Sequence, residues 1–184
     1  HAGKPVLIFP TAHARFFQYE DFGMVAALAS FIEEGKIQLF TVDGIDHETW
    51  FAYDKHPDDR IKLHEKYEQY VMNEFVPYII KRSKEANGRK KVGKILVSGC
   101  SMGAFHAANF FFRYPETFDV VIGLSGVYHT KFFFGDLMDD TIKAYSPLNY
   151  LSEVEDPAKL KSYRQNKIIF CCGQGAWEDI MQDH

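Results

Sequence analysis

The stretch Lys94-Ile-Leu-Val-Ser-Gly-Cys-Ser-Met-Gly-Ala-Phe-His-Ala-Ala108 decides the reading of this sequence. Its first half is a short aliphatic run without polar alternation, the pattern of a strand covered on both faces. Its second half is rich in small residues and predicts a helix. Between them stands Gly99-x-Ser101-x-Gly103. That spacing alone recurs by chance, but here a strand runs into it and a helix runs out. A turn so tight would hold Ser101 in a strained backbone conformation, and glycines two residues to either side remove Cβ atoms that would collide with strand and helix. The hydroxyl would then project above the sheet. The helix opening at Met102 would offer free amide hydrogens and a positive dipole end, which points the Met102 amide at an oxyanion formed on Ser101. A phosphate-binding loop is not indicated, because the Gly-Lys-Ser/Thr ending is absent.

Outward from this stretch, residues 5–9, 36–42, 119–125 and 167–172 repeat the pattern of residues 93–98, giving five predicted strands. Residues 21–34 predict an amphipathic helix that starts at a capping Asp21, places Phe22, Val25, Ala29 and Ile32 on one face, and stops at Gly35. Residues 58–85 predict a longer helix, bent at Pro77 and ended at Asn87-Gly88. Strand and helix alternate throughout, which predicts an α/β fold: a mostly parallel sheet with helices on both faces and function gathered at the carboxyl ends of the strands. Residues 126–164 exceed what a plain crossover needs and form a candidate cap. No repeat or linker divides residues 1–184, so a single domain is expected.

The loop after the first strand, Pro10 to Glu20, lies at the same end of the sheet, and the amide of Ala12 or His13 is the candidate second oxyanion donor. An acid and a histidine should follow the serine in that chain order. Glu178 and Asp179 sit in the loop after the last predicted strand, and either would orient an imidazole. His184 is a poor base so close to them. His106 should be buried on the helix after the serine. His129 lies at the correct end of the sheet but before the acid. Trp50 and His129 are weak candidates for lining a substrate. Asp43, Asp46, His47, Glu48, His56 and Asp58 match no standard metal spacing and read as a solvated acidic loop. Cys100 reads as a small buried residue. No Gly-x-Gly-x-x-Gly follows a strand, so a dinucleotide cofactor is not indicated, and no cofactor or metal is expected.

Composition sets the remaining bounds. Hydrophobic residues make up 46% and charged residues 25% of the 184, the balance of a globular protein. A net charge of −4 with both signs interspersed gives no footprint for nucleic acid or an anionic membrane. The apolar runs fall far short of the ~20 residues that cross a bilayer. Three cysteines, two of them adjacent, make a poor disulfide framework and point to a reducing compartment such as the cytoplasm. A homo-oligomer stays open.

Gly99-Cys-Ser-Met-Gly-Ala-Phe-His-Ala-Ala-Asn-Phe-Phe-Phe-Arg-Tyr-Pro115, Leu124-Ser-Gly-Val-Tyr128 and Cys172-Gly-Gln-Gly-Ala-Trp-Glu178 resemble the putative esterase family. This is the branch of α/β-hydrolases that includes esterase D-like enzymes, feruloyl esterases and mycolyltransferases. The resemblance spans nearly the whole chain and implies an α/β-hydrolase fold, with Ser101 as nucleophile, Met102 and the Ala12 region as oxyanion donors, and Glu178 as acid. Family members carry strands before the segment that starts at Lys4, and a helix, a strand and a histidine-bearing loop after the acid. The chain therefore resembles a member lacking both ends, with its general-base histidine expected beyond residue 184. The implied activity is hydrolysis of a small-molecule carboxylic ester through an acyl-enzyme. Acyl transfer from the same elbow and a non-catalytic binding scaffold are the alternatives.

Overall fold

A computed structural model describes residues 1–88 and 91–175. Five parallel strands form one sheet: β1 (Lys4–Phe9), β2 (Ile37–Thr41), β3 (Ile95–Cys100), β4 (Phe118–Leu124) and β5 (Lys167–Cys171), in the order β2-β1-β3-β4-β5. The chain starts beside the middle of the sheet, winds to one edge at β2, then returns across β1 and proceeds to the other edge. The direction of winding thus reverses between β1 and β3, whose carboxyl ends are neighbours: Phe9 is in register with Gly99. Crevices form at such reversals.

Strand positions agree with the sequence expectation to within two residues, but the helices differ. Instead of one helix over 21–34 there are three single turns, α1 (Gln18–Asp21), α2 (Met24–Ala27) and α3 (Ala29–Glu33). Gly23 at φ +72° and Leu28 at ψ 4° interrupt the ladder, and Asp21 caps nothing because the first turn begins earlier, at Gln18. The long helix does run as expected, as α4 (Pro57–Tyr70) and α5 (Val76–Ala86), joined through a π-helical turn at Val71–Phe75. Pro77 has no N–H to bond residue 73 and its ring crowds that carbonyl, and the widened turn just before it accommodates both.

The helix α6 (Met102–Arg113) is buried along nearly its whole length. Phe110, Phe111, Ala107 and Ala108 pack on Leu7, Phe9, Val97 and Val121 of the sheet, with Val71 and Ile79 completing this core. A second cluster gathers Trp50, Ile61, Met102 and Phe105 against Phe133, Ile142 and Tyr145. Those last three belong to residues 126–164, which hold α7 (Lys131–Phe134), α8 (Asp140–Lys143), α9 (Pro147–Tyr150) and α10 (Pro157–Gln165). Two arginines, Arg60 buried and Arg113 partly so, tie this segment to the core. Arg60 donates to the carbonyls of Thr49, Trp50 and Phe133. Arg113 donates to Ala144 and to Glu68, which also accepts from Tyr145.

Coverage of both faces, expected for every strand, fails at β5, where each residue is exposed. It is an edge strand, and Ile168, Ile169 and Phe170 retain about two-fifths of their surface open to solvent.

Candidate active site

The turn between β3 and α6 has the geometry its glycines demand. Ser101 sits at φ 55°, ψ −117°, a region that non-glycine residues rarely occupy and that costs of order 1–3 kcal/mol. Its amide is held by the carbonyl of Leu124 at 2.9 Å, and its own carbonyl accepts from the Ala104 and Phe105 amides of the first turn of α6. A Cβ on Gly99 would overlap the Gly103 backbone, and one on Gly103 would overlap the Phe9 carbonyl and stand 2.7 Å from Pro10 O. The turn therefore closes only with glycine on both sides. Ser101 remains partly exposed at the carboxyl end of the sheet, and the amides of Met102 and Gly103 lie in the first turn, where no intrahelical acceptor exists for them. Met102 itself is buried in the second core cluster.

The contact of Gly103 with the Phe9 and Pro10 carbonyls brings the loop after β1 against this helix terminus. That loop turns at residues 11–14, where Ala14 donates to Thr11 O at 3.1 Å, and Gln18 fixes it by bonding both the amide and the hydroxyl of Thr11. His13 adopts φ +60° with its ring 5.0 Å from Phe51, and Ala12 packs on the Trp50 cluster. The structure thus assembles Ser101, Met102, Ala12 and His13 in one region. Glu178, Asp179 and His184 lie outside the described residues.

Other candidates sit elsewhere. Trp50 is 1% exposed, its indole N–H donating to His64 Nδ1 at 3.2 Å and its ring packed on Phe105. His129 Nδ1 accepts from the Lys131 amide at the start of α7. Cys100 is exposed rather than buried, because the last residue of β3 points away from α6. It lines an apolar cavity of about 190 Å³ with Pro10, Thr11, Tyr19, Phe22 and Leu124, at the carboxyl ends of the strands. Tyr128 reaches beside it: a Cβ on Gly123 or Gly126 would stand 2.5 Å from its phenol oxygen. Burial pushes that phenol up, with the thiols of Cys100, Cys172 and Cys171 adding to the effect.

The acidic loop is not uniformly solvated. Asp43 is, and it pairs with Arg15, whose hydrogen bond holds the carboxyl below its ordinary value. Asp46 is instead 2% exposed, with its Oδ1 2.7 Å from His106 Nε2. The His106 ring stacks at 5.4 Å on His64, which burial keeps neutral by lowering its pKa well below the ordinary value. Among the described residues Asp46 Oδ2 and His106 Nδ1 have no hydrogen-bond partner. One charge-assisted bond contributes about 1.5–3 kcal/mol, whereas two buried polar atoms left unmatched cost about 1–3 kcal/mol each, so the pair adds about 1 kcal/mol at most as a source of stability. His106 was expected to be buried; its partner, 60 residues away, carries no sequence signal. Among the described residues no group of three or more His, Cys, Asp or Glu is placed to hold a metal ion.

A winding reversal beside the turn at Ser101, on a parallel sheet covered by α6, is the α/β-hydrolase fold, and solved structures share that fold. A ferulic acid esterase superposes with a TM-score of 0.66 at 20% identity, over 98% of this chain and 69% of that one. The S-formylglutathione hydrolase of Agrobacterium tumefaciens gives 0.60 at 13% identity, over 100% and 82%. That of Staphylococcus aureus gives 0.59 at 15%, over 94% and 62%, so this chain spans less than two thirds of that enzyme's length. No curated protein sequence matches. The sequence profile described as Putative esterase matches residues 11–182, and the chain belongs to that family. No helix among the described residues is long and apolar enough to cross a membrane.

Proposed function

We propose that this chain carries the nucleophile and oxyanion half of a serine esterase acting on small-molecule carboxylic esters. Ser101 Oγ attacks the ester carbonyl carbon while a histidine takes its proton, and the tetrahedral oxyanion is held by the Met102 amide and that of Ala12 or His13. The carbon–oxygen bond to the alcohol then breaks, and the alcohol leaves with the proton returned by the histidine. Water, activated by the same histidine, hydrolyses the acyl-enzyme to the carboxylic acid. Glu178, ahead of Asp179, is the acid that orients the imidazole, and the base follows it in chain order. The apolar cavity beside Cys100 suits an aliphatic or aryl portion of the substrate, in keeping with the ferulic acid esterase named among the fold neighbours.

The observation that carries this reading is the backbone of Ser101, held at φ 55° where β3 enters α6 and the loop after β1 abuts the helix start. Strain of this kind persists only where the surroundings over-determine it. A neighbour named as a fluorophosphonate-binding serine hydrolase, matching at 15% identity with a TM-score of 0.55 over 94% of this chain and 65% of that one, suggests the probe. The protein in its full-length form should be labelled at Ser101 by a fluorophosphonate and should hydrolyse short p-nitrophenyl esters, with both lost in Ser101→Ala. Absence of labelling and of hydrolysis in the unmutated protein overturns the proposal and favours a binding scaffold.

A further inference from the structure

The Asp46–His106 pair takes no part in the chemistry above and brings little net stability, yet it occupies a strategic place. His106 lies on α6, five positions after Ser101, walled by Phe9, His64, Tyr67 and Phe105. Asp46 lies in the loop between β2 and α4. Its carboxylate takes the His106 bond, and its backbone carbonyl accepts from the Thr49 and Phe51 amides at 3.2 and 2.9 Å, so the fold of residues 45–52 is organised around it. Phe51, placed by that carbonyl, carries the ring that packs on His13. The loop has further anchors: Tyr67 to Asp43 O and Arg60 to the Thr49 and Trp50 carbonyls come from α4, while Arg15 and the Phe16 amide, in the loop after β1, bond the Asp43 carboxylate. Among the described residues the His106–Asp46 bond is the one hydrogen bond between this loop and α6.

We infer that Asp46 and His106 are positioning residues: their buried bond fixes the Phe51 loop to the nucleophile helix, and through Phe51 and His13 sets the loop after β1 against Ser101. This rests on the serine esterase reading for its purpose. Two oxyanion amides come from separate segments, α6 and the loop after β1, and a catalytic geometry needs their separation held to a fraction of an ångström. One side of that spacing is set by Gly103 against the Phe9 and Pro10 carbonyls. On the other side Arg15 and the Phe16 amide tie the loop after β1 to Asp43, and the chain of contacts from His106 through Asp46 and Phe51 to His13 is what links that pair of loops to α6.

The test compares full-length protein with His106→Phe, which keeps a ring for His64 and Phe9 but removes the donor, His106→Gln, which restores a donor at the Nε2 position, and Phe51→Ala, which interrupts the relay without touching the buried pair. Three readouts are taken: the rate of Ser101 labelling by fluorophosphonate, kcat and KM for p-nitrophenyl acetate, and amide hydrogen exchange. His106→Phe is expected to slow labelling and lower kcat by on the order of 10²-fold, with KM little changed. Exchange should accelerate in segments 10–16 and 45–52 and stay unchanged in β1, β3 and β4. Phe51→Ala should reproduce the effect on segment 10–16, and His106→Gln should return rates and exchange close to those of the unmutated protein. Unaltered exchange at 10–16 in both His106→Phe and Phe51→Ala overturns the inference, as does acceleration spread evenly over the sheet with no rescue by glutamine. Should His106→Phe fail to fold, Phe51→Ala decides on the same criterion. If unmutated protein is never labelled, the esterase reading falls while the exchange data still decide whether the relay exists.

Discussion

Replacing Gly103 with alanine tests the closure on which the site depends. The added methyl would overlap the Phe9 carbonyl oxygen, and would stand 2.7 Å from Pro10 O and 3.0 Å from the Phe9 carbonyl carbon, well inside ordinary van der Waals contact. All three obstructing atoms are backbone, and β1 is hydrogen-bonded to strands on both sides, so no side chain can rotate away. Relief requires the first turn of α6 to lift off β1, and α6 is buried from Met102 to Phe112. The cost therefore belongs at the upper end of overpacking penalties, about 3 kcal/mol, which lowers Tm by roughly 6–12 °C for a chain of this size. Thermal unfolding followed by circular dichroism reads the shift, with Gly23→Ala as the comparison. Nothing lies within 4 Å of a Cβ there, and its φ of +72° alone costs about 1–2 kcal/mol. Gly103→Ala should also slow Ser101 labelling, which Gly23→Ala should leave intact. A Gly103→Ala protein melting within about 2 °C of the parent would refute the claim that helix and strand meet with no room for a methyl group.

Two further outcomes follow from the buried charges that hold residues 126–164. Arg60→Met keeps the apolar stem but strands the carbonyls of Trp50 and Phe133, each costing about 1–3 kcal/mol if water does not replace the donor, while Thr49 O keeps its bond from the Ala52 amide, and the urea midpoint should fall by an equivalent of at least about 2 kcal/mol; an unchanged midpoint at unchanged slope counts against the arginine as the tie. Burial, and then the neighbouring Glu68 charge, pushes the Tyr114 phenol from 10 up to about 12. The folded state then keeps a proton that the unfolded chain has lost, so this contribution is complete below pH 10 and vanishes as pH climbs to about 12. Stability measured across that window should decline less steeply in Tyr114→Phe than in the parent, and identical slopes would show that Glu68 and burial do not reach the phenol.

What could be read from the sequence follows from the range over which each feature is determined. Strands are written in local runs such as Ile95-Leu-Val97, and the elbow in glycines two residues from Ser101: the clash that Gly99 relieves lies within the turn itself, while the one at Gly103 is with β1. Cys100 was misjudged since its exposure depends on which face α6 covers, a matter of packing rather than of neighbours in the chain. The three broken turns over 18–33 were missed because helical spacing of apolar residues does not report the φ of +72° that Gly23 adopts. Asp46 is the sharpest case. Flanked by Asp43, His47 and Glu48, it has every local mark of a solvated loop, and only the register of α6 against β1, set by Gly103, carries His106 to within 2.7 Å of it. The same glycine that allows Ser101 its turn thus determines which residue of α6 faces the loop. The turn at Ser101, the packing of the loop after β1 on the start of α6 and the buried pair behind it are consequences of one helix-to-strand contact, so a change at Gly103 should disturb all three together, whereas a change at Asp46 should leave the turn's own φ and ψ untouched.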